Sequence, residues 1–364
     1  MNVSYLKELD GIRAIAALMV LFFHFFITAT DGSAVVHFIS KVAVFGQTGV
    51  SLFFVLSGFL ITRILLSTRA SANFFSAFYL RRLVRIFPLY YFYLVLFYFV
   101  VPFLTQTDFI NWGEQFWYWF YLQGFPMTFH WAHAGPDHFW SLGVEEHFYL
   151  FWPLLIYFIQ PRYLLSVIML LIALAFCLRI IFVQQSFETF YFTFTRMDEL
   201  AMGALVAVLE IRNKLKAAYF KRYVLLFVLS ALLLLVLWVL TNKSGNAWLQ
   251  VAKYNFISLL YFFLLCVVLT TATGSYLSIF LRTSLLTYLG RISYGLYVYH
   301  PMVFLLFKHY VPVQNVFFVA SGSFVVTVII ASMSFYWFEN RFLYFKQFFT
   351  YSSGKQPSTV KAAG

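Results

Sequence analysis

Charge is what this chain most lacks. Of its 364 residues only 10% are Asp, Glu, Lys or Arg, where an ordinary soluble domain is about a quarter charged. That shortage excludes a water-soluble domain of usual composition. The 62% hydrophobic content and mean hydropathy of +0.82 point to an integral membrane protein instead. Acidic residues are scarcer still, 13 against 25 basic, for a formal net charge of +12. Such an excess suits nucleic acid, but here the basic residues sit in short segments between apolar runs, where positive-inside topology accounts for them. No nucleic-acid partner is expected. The only cysteines, Cys177 and Cys266, both fall inside apolar runs at different expected depths, so no disulfide framework is implied. The first apolar run has no small-residue cleavage site and is long enough to span, so it is expected to remain as an anchor rather than be removed as a signal peptide.

An all-α polytopic fold follows, because the apolar runs have the length of roughly 17 to 25 residues that a helix needs to cross lipid. Runs long enough to cross the hydrocarbon fall near 12–31, 46–66, 88–105, 140–159, 163–183, 197–211, 223–241, 253–273, 288–308 and 316–338. This gives about ten transmembrane helices. The aromatic stretch FWYWFYLQGF at 116–125 is too short to cross alone and reads as interfacial, with an eleventh crossing as the alternative. Most Lys and Arg then fall on one side, including RRLVR at 81–85 and the segment from Arg212 to Arg222, which places both termini in the cytosol. Residues 1–340 read as one transmembrane domain. Residues 341–364 read as a disordered cytosolic tail ending in SSGKQPSTVKAAG.

Ionisable residues within apolar runs are the functional candidates, since each is costly in lipid. In GIRAIAALMVLFFHF, Arg13 and His24 are separated by about three helical turns, so both lie on one helix face, with the imidazole roughly 16 Å deeper. The plain alternative is a snorkelling Arg and a packed core His. The fourth run carries Glu145 and Glu146 and the ninth carries His300, at depths that match His24. Successive helix positions diverge by about 100 degrees, so one carboxylate is expected to face the cavity and the other a neighbouring helix. A His beside a buried carboxylate suits a general base, with a structural charge pair as the alternative. Gly58 after Ser57 makes a small-residue notch for close approach. Arg82 and Arg85, spaced i, i+3, form a fork suited to phosphate, or else contact anionic lipid. A metal site at His130, His133, Asp137 and His138 is the weaker reading of HWAHAGPDH, because the spacing is loose, and no metal is expected.

Taken in order, LDGIRAIAALMVLFFHF, GVSLFFVLSGFLIT, FYLRRLVRIFPLYY, HFWSLGVEEHFYLFWPLL, TRMDELAMGALVA and LGRISYGLYVYHPM strongly resemble the acyltransferase-3 family of membrane O-acyltransferases, over about residues 5–340. The resemblance implies a ten-span enzyme of the cytoplasmic membrane that moves an acyl group, usually acetyl, from cytosolic acyl-coenzyme A to a hydroxyl of an extracytoplasmic carbohydrate such as a surface polysaccharide. Its Arg-x10-His element falls on Arg13 and His24, its R-x-x-R element on Arg82 and Arg85, its W-S-L-x-V-E-E element on Trp140 to Glu146, and its His-Pro element on His300 and Pro301. Two positions depart from the pattern: His147 stands where the family commonly has Gln, and Ser51 where it often has Asp. Some members carry an added extracytoplasmic hydrolase-like domain, for which this chain is expected to be too short. The implied chemistry has Arg13, Arg82 and Arg85 on the phosphates of acetyl-coenzyme A. His24, paired with Glu145 or Glu146, then acts as base in direct transfer or is itself acylated, direct transfer being the expectation. A proton-coupled transporter is the competing class, since buried His, Glu and Arg also form relays.

Overall fold

The computed structural model describes residues 5–27, 29, 33–243, 247–311 and 315–352. Helix makes up 81% of it, and no strand occurs among the described residues. The principal helices are α1 (Glu8–Phe26), α2 (Ala34–Gly46), α3 (Gly49–Thr68), α4 (Phe74–Val95), α5 (Trp140–Phe158) and α6 (Leu164–Gln184). They continue as α7 (Thr193–Ile211), α8 (Phe220–Lys243), α9 (Ala247–Thr270), α10 (Ser284–Arg291), α11 (Ser293–Tyr310) and α12 (Val316–Met333).

Among the described residues seven stretches are long and apolar enough to cross a membrane: Glu8–Phe26, Ala34–Thr68, Phe74–Thr105, Leu164–Gln184, Ala217–Thr241, Trp248–Thr270 and Val316–Phe348. The chain is therefore a multi-pass membrane protein. Helices α5, α7 and α11, at 19, 19 and 18 residues, are as long as a span but carry the polar side chains discussed below. Helix α2 was not anticipated. It starts at Ser33, whose hydroxyl accepts the Val36 N–H, and packs on α1. The aromatic stretch breaks at Tyr121, whose φ of 60° ends one short helix (Trp112–Trp119) before another (Gly124–Phe129) begins, so no continuous crossing forms there.

Burial sorts the helices. Only 17% of the apolar window in Ala217–Thr241 is buried, against 67% for Ala34–Thr68, so α8 faces outward and α3 occupies the centre. The most extensive helix contact is α3 on α7. Glycine makes it possible from both sides: a Cβ on Gly58 would lie 1.9 Å from the Leu200 carbonyl oxygen, and one on Gly203 would lie 1.9 Å from that of Val55. Small residues let backbones approach this closely where lipid supplies no hydrophobic drive for helices to pair. Charges hold the same region. Arg179 on α6 grips Asp198 on α7 with two bonds (Nη2 to Oδ2 2.8 Å, Nη1 to Oδ1 3.0 Å) and also donates to Thr195 O and Asn255 Oδ1. Arg196 pairs with Glu199 at 3.1 Å and donates to Ser51 of α3. These four charged side chains are almost wholly buried, so each is stable there only because it is paired.

Candidate functional site

A cavity of about 450 Å³ lies between α1, α3, α4, α5 and α11. Its apolar wall is the α3 face that includes Phe53, Leu56, Leu60 and Ile61, while Arg82 and Arg85 enter from α4 and Glu145, Glu146 and Tyr149 from α5. The i, i+3 spacing of the arginines does put both guanidinium groups toward one space. Neither donates a hydrogen bond or makes an ion pair within the described residues; Arg82 instead lies over the rings of Tyr149 (5.5 Å) and Phe78 (5.9 Å). Arg13 also lines the cavity but is ion-paired to Asp10 at 2.7 Å, and Asp10 accepts a further bond from the Tyr5 hydroxyl.

Both carboxylates of the Glu pair border this cavity, where one had been expected to turn away. Glu145 is fixed by two donors, Ser57 Oγ at 2.6 Å and the Tyr149 hydroxyl at 3.0 Å. Glu146 keeps one buried oxygen, Oε1, without a hydrogen-bond partner among the described residues. The next residue, His147, points elsewhere, with Nδ1 2.7 Å from Thr193 Oγ1 at the start of α7.

His24 and His300 form a second cluster. Nε2 of His300 is 3.1 Å from Nδ1 of His24, and that same Nδ1 is 2.9 Å from the Val20 carbonyl oxygen. Nδ1 of His300 lies 3.1 and 2.8 Å from the carbonyl oxygens of Leu296 and Tyr297. Carbonyls only accept, so the His300 proton belongs on Nδ1 and its Nε2 offers a lone pair. His24 then donates from Nδ1 and keeps the Nε2 lone pair for other chemistry. His300 is fully buried and His24 half-buried, so of the two rings His24 is the accessible one.

The expected pairing of His24 with Glu145 or Glu146 is not formed: no hydrogen bond joins them, because Glu145 is taken up by Ser57 and Tyr149 and His24 by Val20 and His300. Arg13 and His24 share a helix face, yet His24 is not part of the cavity lining. Between cavity and histidines stand Ser141 and Tyr297, whose hydroxyls are hydrogen-bonded to each other, the Tyr297 hydroxyl also donating to the His138 carbonyl. His138 packs against the cluster, its ring centroid 5.5 Å from those of both His300 and Tyr297.

Sequence reasoning missed Asp10, Tyr149 and Tyr297. The first two were readable, lying three residues from Arg13 and four from Glu145 on the same helices. Tyr297 offered the same signal, three residues before His300 on α11. Of the loose metal motif, His133 turns to the Trp131 carbonyl and Asp137 accepts from Tyr118, while His138 faces inward to Val298 O. Among the described residues no three His, Cys, Asp or Glu side chains are grouped to hold a metal ion.

Comparison with known proteins defines the class. The model of the acyltransferase domain known as acyltransferase-3 matches residues 6–337. The chain belongs to that family. It is similar to SACOL0978 of Staphylococcus aureus strain COL, provisionally named an O-acetyltransferase, with 28% identity over 94% of this chain and 58% of the relative. It is also similar to the O-acetyltransferase OatA of S. aureus strain NCTC 8325, with 27% identity over 92% of this chain and 57% of the relative. The chain thus spans a little over half the length of these relatives. No solved structure matches it.

Proposed function

We propose that this protein is an O-acyltransferase that carries an acetyl group from cytosolic acetyl-coenzyme A to a hydroxyl of an extracytoplasmic carbohydrate, such as a surface polysaccharide. In this reading residues 1–340 form the acyltransferase domain, which crosses the cytoplasmic membrane about ten times, counting α5, α7 and α11 as spans, with both termini in the cytosol. The observation that carries it is the arginine pair Arg82 and Arg85, without a hydrogen-bond or ion-pair partner among the described residues, in one cavity with the buried Glu pair, in a chain of the acyltransferase-3 family. Two guanidinium groups with hydrogen-bond donors to spare suit the diphosphate of the donor. The slender thioester arm runs inward along the apolar α3 wall and passes Ser141 and Tyr297 to reach the histidines.

In the chemical step the acceptor oxygen attacks the thioester carbonyl carbon while Nε2 of His24 takes its proton. The tetrahedral intermediate collapses with cleavage of the C–S bond, the proton returns to sulfur, and the acyl ester and free coenzyme A leave. His300 is a positioning residue in this scheme, since it touches His24 rather than substrate. Glu145 and Glu146 act from the cavity, Glu145 by ordering Ser57 and Tyr149 beside the donor.

The decisive experiment is transfer of labelled acetyl from acetyl-coenzyme A to glycan by the protein in liposomes. Release of free coenzyme A that depends on acceptor and vanishes in His24→Ala is expected; solute moved unchanged, with the donor intact, would make the protein a transporter. Orientation is checked in a background lacking both cysteines: a cysteine at Ser76 should label only after permeabilisation and one at Thr107 in intact cells.

A further inference from the structure

Past Glu339 the chain stays on the protein. It forms Asn340–Tyr344 and a tight turn at Phe345–Phe348, then runs as a strap to Ser352 along the start of α4. Asn73, just ahead of α4, holds the strap from both sides of its amide: Nδ2 donates to Thr350 O at 2.8 Å, and Oδ1 accepts from Ser352 N at 2.9 Å and Oγ at 3.0 Å. Arg81 donates to the carbonyls of Lys346 and Phe349, and its guanidinium lies 6.0 Å from the centre of the Tyr351 ring. Arg81 also lines the cavity, so the strap crosses its rim at the arginine end.

The strap sets Lys346 within the electrostatic reach of Arg85, Arg82, Arg81 and Arg13. Its ammonium has no hydrogen-bond or ion-pair partner among the described residues. Among the described residues only Arg13 of these cations forms a contact ion pair, with Asp10; Glu145, Glu146 and Glu339 reach Arg82 or Arg85 only electrostatically, and none of them is an ion-pair partner of Lys346 or Arg81. Like charges gathered at this density repel unless an anion completes the group. An anion that completes this group carries charge at the rim, beside Lys346 and Arg81, as well as inside the cavity.

We propose that Lys346, presented by the Phe345–Ser352 strap, belongs to the donor site and binds the phosphate of acyl-coenzyme A farthest from the thioester, the 3′-phosphate on the ribose. This rests on the donor reading above. With the arm directed inward and the diphosphate on Arg82 and Arg85, the ribose lies outside them and its 3′-phosphate falls at the rim beside Lys346. A lysine suits that place: its ammonium is a compact charge with three donors that meets a phosphate from any direction. Asn73 does not touch the donor and acts only by holding the strap.

The test is calorimetric binding of coenzyme A and 3′-dephospho-coenzyme A to the full chain in detergent. Wild type should prefer coenzyme A. Lys346→Ala should weaken coenzyme A by about tenfold, the loss of one charge-assisted contact, and leave the dephospho compound unchanged. Lys346→Arg should restore the preference. Asn73→Ala should reduce it in part, with protein abundance unaltered. If wild type binds both compounds but Lys346→Ala weakens them equally, or neither, Lys346 does not read the 3′-phosphate and the donor reading stands without it. If wild type binds neither compound, the donor reading itself falls, and this proposal with it.

Discussion

Replacing His300 by Phe separates a positioning imidazole from a reacting one. The ring is fully buried among aromatic neighbours, with the Phe25 centroid 6.5 Å away, so a phenyl group of similar shape should be accommodated. What is lost is the acceptor at Nε2, 3.1 Å from Nδ1 of His24. A neutral hydrogen bond contributes about 1 kcal/mol net, and His24 retains its second acceptor, Val20 O at 2.9 Å. The favoured tautomer therefore survives with a looser ring, and a barrier raised by about 1 kcal/mol slows transfer roughly fivefold. His24→Ala removes the base itself and should cost about 10²- to 10⁴-fold. Initial rates of acetyl transfer in liposomes, normalised to folded protein, distinguish the two. A His300→Phe enzyme as inactive as His24→Ala would mean that His300 meets the reacting atoms. A fully active one would mean that it does not orient His24.

Three further outcomes are expected. Arg179→Met leaves Asp198 buried without its cation and should destabilise the protein by about 3–5 kcal/mol, measured by thermal unfolding in detergent, with Arg179→Met/Asp198→Leu recovering much of the loss; equal melting of the single variant and wild type would show that the pair contributes nothing. Gly58→Ala puts a Cβ 1.9 Å from Leu200 O and must part α3 from α7, so folded yield should fall sharply, and a normal yield would contradict the close crossing. Arg82→Gln/Arg85→Gln should weaken donor binding at least tenfold through lost charge-assisted contacts while abundance holds; unchanged affinity with collapsed abundance would make the arginines topological.

The helical membrane class was legible in composition and run length, because continuous apolar runs of about 20 residues fit a spanning helix rather than a short alternating strand. The one-face relation of Arg13 and His24 and the fork of Arg82 and Arg85 were legible for a related reason, since helical period and rise make local geometry calculable from spacing. The succession of motifs carried the family. Spacing within a helix says nothing about which helix lies opposite, and there the tertiary structure decided. It joined His24 to His300 across 276 residues and gave Glu145 to Ser57 rather than to a histidine. It closed Arg179 onto Asp198, and it laid the aromatic segment after Glu339 over α4, although by sequence alone that segment reads as part of a free tail. Residues 353–364 of that expected tail lie outside the described residues. A buried polar group is satisfied by whichever partner packing brings within about 3 Å, and that partner is a property of how the helices meet rather than of any one of them.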